Sequence, residues 1–156
     1  MIQKLMERYR QYDEEAALVR KKAKFTDGLL GFGNDPRNHP CHEQFYMDVG
    51  EWTRAFTETQ PSRQDSLEAA RFLIEAPKTC GSCESYGMMY AAQGWCRELV
   101  NRLDAEGCAE LSALMEALYP KQDRMPVQLE LLKALNKKSG RKGNSPVWTF
   151  GKKKSC

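Results

Sequence analysis

Thr79-Cys80-Gly81-Ser82-Cys83 sets two thiols two residues apart, and Asn38-His39-Pro40-Cys41-His42 gathers a third thiol with both histidines of the chain. One chemistry open to such clusters is metal binding. A tetrahedral zinc ion commonly takes two close pairs of nitrogen or sulfur ligands from separate segments. Cys80 and Cys83 make one pair, His39 and His42 the other with the same gap, and Cys41 is the substitute ligand. Adjacent helical residues point about 100° apart, so Cys41 and His42 reach one ion less naturally than His39 with either. Four protein ligands close the coordination sphere, which makes this zinc structural.

The alternative is redox chemistry. A Cys-x-x-Cys that opens a helix has its first thiol activated by the positive end of the helix dipole, so Cys80 and Cys83 are a candidate dithiol. In a thioredoxin fold the motif follows a strand. Here it follows the helical pattern of residues 66–76. The plainest reading leaves all the cysteines as free thiols. Cys96 lies thirteen residues beyond Cys83. On a continuous helix that is roughly 20 Å along the axis and on another face. Cys108 and Cys156 have no ligand-type neighbours. Cys96 and Cys108 read as small core side chains.

Other catalysis finds little to stand on. No histidine lies outside the cluster to act as a general base, and no serine-nucleophile motif is present. Gly28-Leu29-Leu30-Gly31-Phe32-Gly33 lacks both the lysine of a phosphate loop and a preceding strand. The sequence therefore points away from an enzyme. If it is one, a dithiol oxidoreductase fits best.

The elements that position these segments read as helices. Leu5, Tyr9, Tyr12, Ala16, Val19 and Ala23 recur at four- and three-residue steps over residues 2–24, a seam for bundle packing. Asp27-Gly28 stops that helix, and glycines and prolines keep the chain irregular up to Cys41. Residues 40–57 form a second helix with Phe45, Val49, Trp52 and Phe56 inward and Cys41 on the same line. Ser62 and Asp65 cap a third, which carries Leu67, Ala70, Leu73 and Ile74 to a stop at Pro77.

Thr79 then caps a fourth helix that runs through Met89, Ala92, Cys96, Leu99 and Leu103, with Gly87 and Gly94 inside it for close packing. After a turn or kink at Gly107, Cys108, Leu111, Met115 and Leu118 line a fifth helix. Val127, Leu131, Ala134 and Leu135 line a sixth, from Pro126 to Ser139-Gly140. No alternating strand pattern and no repeat interrupts this series. The expected fold is all-α: a compact bundle of five to six helices with a Gly/Pro-rich loop after the first. Residues 1–138 form one domain, and 139–156 a basic, mobile tail.

Bulk properties agree. The chain has 156 residues, of which 41% are apolar and 29% charged. A chain of that size and composition buries a core without staples. No apolar run approaches the ~20 residues that cross a bilayer, and the N-terminus lacks the apolar stretch of a secretory signal. The expected location is cytoplasmic, where the cysteines remain reduced. From Lys133 onward there are eight basic residues and no acid, which leaves 16 basic against 21 acidic before it. An acidic body with a basic tail is not the profile of a dedicated nucleic-acid-binding domain. Trp148 and Phe150 in that tail allow a weak contact with nucleic acid or an acidic surface. The function expected is that of a helical interaction or regulatory protein with an unidentified protein partner.

Overall fold

The computed structural model describes residues 1–23, 35–80 and 87–140. Among these residues there are seven α-helices and no strands: α1 (Ile2–Lys22), α2 (Pro40–Glu58), α3 (Arg63–Thr79), α4 (Gly87–Ala92), α5 (Cys96–Val100), α6 (Ala105–Leu118) and α7 (Pro126–Ser139). A 3₁₀ turn at Gln93–Trp95 joins α4 to α5 in one bent rod, so the bundle has six rods. The all-α expectation holds. The tail beyond Gly140 falls outside the described residues.

The first two helices pack antiparallel. Tyr12 meets His42 near the start of α2, Arg8 pairs with Asp48 at 2.7 Å, and Trp52 Nε1 donates to the Met1 carbonyl. The α1 seam of Leu5, Tyr9, Tyr12 and Ala16 is buried in this interface, where Tyr12 stacks on Phe45 at 4.0 Å. Pro40 occupies the first turn of α2, where its missing N–H costs nothing. Further on, Gly50 lies so close under the Trp95 indole that an added Cβ would overlap the ring.

Three boundaries differ from expectation. Helix α3 runs through Pro77 to Thr79. The proline ring leaves the Leu73 carbonyl without its helical donor. One residue on, the Ile74 carbonyl accepts from Tyr119 Oη at 2.7 Å and Gln93 Nε2 at 3.1 Å, so the loosened turn is held from outside. The expected continuous fourth helix is bent where Gln93 turns into that network and Gly94 lowers helical propensity. Its α-helical part ends at Val100, not near Leu103. The turn placed at Gly107 lies instead at residues 101–104. Asp104 caps α6 there by accepting from Gly107 N at 2.8 Å, the usual role of an aspartate at a helix start.

The network at Ile74 continues. Gln128 Nε2 donates to Gln93 Oε1 at 3.0 Å, and Gln128 Oε1 accepts from Met125 N at 2.9 Å. Gln93 and Gln128 are fully buried, and Tyr119 nearly so. These bonds tie α3, the 3₁₀ turn, the end of α6 and the start of α7 through polar groups that are expensive to leave unpaired.

Candidate functional site at the histidine and cysteine segments

His39 is the N-cap of α2. Its Nδ1 accepts from Cys41 N at 3.2 Å, a role commonly filled by shorter polar side chains. Its Nε2 has no hydrogen-bond partner among the described residues. His42 is placed differently. It is buried, with Nε2 2.8 Å from the Pro36 carbonyl and Nδ1 2.7 Å from Tyr12 Oη. A carbonyl can only accept, so Nε2 carries the proton and the Tyr12 hydroxyl donates to Nδ1. Both ring nitrogens are therefore engaged, and the imidazole straps the Pro36–Asn38 turn to α1. A metal ion on His42 would have to displace one of these bonds.

The thiols share one electrostatic condition. Cys41 is half-buried; burial pushes its pKa up and Glu15 adds to this, while Arg8 pulls the other way. Cys80 is also half-buried and raised, chiefly by burial and then by Asp13, against a lowering contact from the Thr79 hydroxyl. Complete burial raises Cys96 strongly, with its Sγ directed at the Ala70 carbonyl at 3.6 Å. Cys108 is raised by burial too, opposed by Lys138. The core assignment of Cys96 and Cys108 holds.

Cys80 closes α3 rather than opening a helix. The C-terminal end of a helix carries the negative pole of the dipole, which disfavours a thiolate. The activation expected of a Cys-x-x-Cys at a helix N-terminus is thus not in place at Cys80.

The clusters also occupy different flanks of α1. Cys41 lies where Arg8 and Glu15 act on it, and Cys80 where Tyr9 and Asp13 do. At about 100° per residue these two pairs of positions stand roughly 130° apart around the helix, with Tyr12 between them. His39, Cys41 and His42 are neighbours in sequence at the start of α2, and Cys80 ends α3. Cys83 lies outside the described residues. Among the described residues no group of three or more His, Cys, Asp or Glu side chains is arranged to hold a metal ion.

Sequence reasoning missed the roles of His42, Gln93, Gln128 and Gly50. A buried strut histidine and a ligand histidine look alike in sequence, and the glutamines carry no spacing signal at all. No helix among the described residues is long and apolar enough to cross a membrane. No known family model, no curated protein and no solved structure matches the chain.

Proposed function

We propose that the protein is a helical interaction module, which binds a protein partner through its surface and commits His42 and the buried thiols of Cys96 and Cys108 to the fold. The observation that carries this reading is the engagement of both His42 nitrogens. An imidazole that moves protons in catalysis needs a nitrogen free to reach the reacting group. The raised thiols agree, since the nucleophile in thiol chemistry is the thiolate.

A structural zinc ion on Cys80, Cys83, His39 and His42, with Cys41 in reserve, is the second reading. One observation favours it: Nε2 of His39 carries no hydrogen bond among the described residues, two positions from the Cys41 thiol. The bonds already made by both His42 nitrogens weigh against it. The dithiol alternative at Cys80 and Cys83 rests on the spacing of the two cysteines alone.

One experiment separates the three. Metal content and reactive thiols are measured on the native chain at neutral pH, with and without a strong chelator. The interaction module predicts slow labelling at Cys80 and Cys83 that the chelator does not change. About one zinc per chain, with those thiols labelling only after chelation, installs the structural metal. Fast labelling, with ready closure to a disulfide under mild oxidant, overturns the reading in favour of the oxidoreductase.

A further inference from the structure

Along α7, Leu129, Lys133 and Lys137 recur at every fourth position, and all three are exposed. A four-residue step keeps side chains on one helix face. Beside this stripe, between α7 and α5, runs a groove of about 910 Å³. Buried Val100 and half-buried Ala134 line it together with Arg97, Glu98, Asn101 and the α7 lysines.

Most charges in the groove are already spent. Arg97 pairs with Glu130 at 2.8 Å, and Lys138 Nζ donates to the carbonyls of Val100 and Asn101 at 2.8 and 2.7 Å. Lys133 and Lys137 make no ion pair or hydrogen bond among the described residues. The sequence beyond α7 adds Arg141, Lys142 and Lys152 to Lys154 with no acid.

Two unspent ammonium groups one turn apart call for carboxylates at the same spacing. A phosphate backbone would meet the same lysines, but it has no use for Val100, Ala134 or Leu129. A docked amphipathic helix meets both demands, since its carboxylates and its apolar residues each recur at three- and four-residue steps.

We infer that the α5–α7 groove docks an acidic amphipathic helix of a partner protein, with its carboxylates on Lys133 and Lys137 and its apolar side chains against Leu129 and the Val100–Ala134 floor. This names the partner class of the interaction module and rests on that reading.

The test uses the full chain, ¹⁵N-labelled, titrated with a synthetic peptide of about four helical turns that repeats leucine and glutamate at three- and four-residue steps. Amide shifts are expected over residues 97–101 and 129–138. A Lys133→Glu, Lys137→Glu double variant should bind at least about tenfold more weakly, with its thermal melt unchanged. Absence of binding, shifts confined elsewhere, or equal affinity in the double variant would overturn the inference. So would tighter binding of a single-stranded oligonucleotide at the same residues, which would assign the groove to nucleic acid. Failure of the underlying reading shows separately, as fast thiol labelling; inert thiols with no peptide binding would remove the groove assignment alone.

Discussion

His42 illustrates how one side chain can be read as chemistry and serve as architecture. Its buried ring closes a bridge from the Tyr12 hydroxyl to the Pro36 carbonyl. Replacing it by alanine removes two hydrogen bonds made by a buried ring, at a cost of about 2–3 kcal/mol. His39→Ala removes only a cap bond and should cost about 1 kcal/mol. Urea unfolding of the two variants measures the difference; equal losses would show that His42 is no strut. The sequence showed that both histidines sit in one short segment with Cys41. It did not show which would turn inward, because that depends on where Tyr12 arrives from a helix thirty residues away.

At the scale of elements, helix identity was well marked and helix continuity was not. The seams of α1, α2, α6 and α7 announce themselves in apolar spacing, and their ends carry local signals such as Pro40, Pro126 and Gly140. Pro77 reads as a stop because local rules cannot see Tyr119 and Gln93 arriving from distant segments to hold the adjacent turn at Ile74. The glycines divide in the same way. Gly50 is fixed by the Trp95 indole lying on it. Gly50→Ala should therefore cost about 1–3 kcal/mol through overpacking. Nothing stands within 4 Å of a Cβ added at Gly87. Gly87→Ala should be neutral or stabilise by up to about 1 kcal/mol. Thermal melts of the two variants should move apart, and a matching fall in both would refute the packing account of Gly50.

For the whole molecule, one core runs through all six rods, and it holds groups that resist ionisation. Burial pushes the Cys96 thiol and the Tyr9 hydroxyl well above their ordinary values. As pH rises, the unfolded chain releases these protons first and binds fewer than the folded chain, so stability falls. For Cys96 the contribution is whole below the ordinary thiol value of 9.0 and drains away above it. Urea midpoints from neutral pH to about pH 11 should decline, and Cys96→Ala should flatten that decline. An unchanged slope would mean that Cys96 is not the group responsible. The glutamine network supplies a further handle on the assembled bundle. Because the Met125 N–H fixes Gln128 Oε1 as an acceptor and the Ile74 carbonyl fixes Gln93 Nε2 as a donor, neither amide can flip without breaking the chain of bonds. Both carboxamide NH₂ groups should then exchange slowly with deuterium, in step with the core backbone amides, and so act as an intrinsic reporter of whether four separate segments are docked at once.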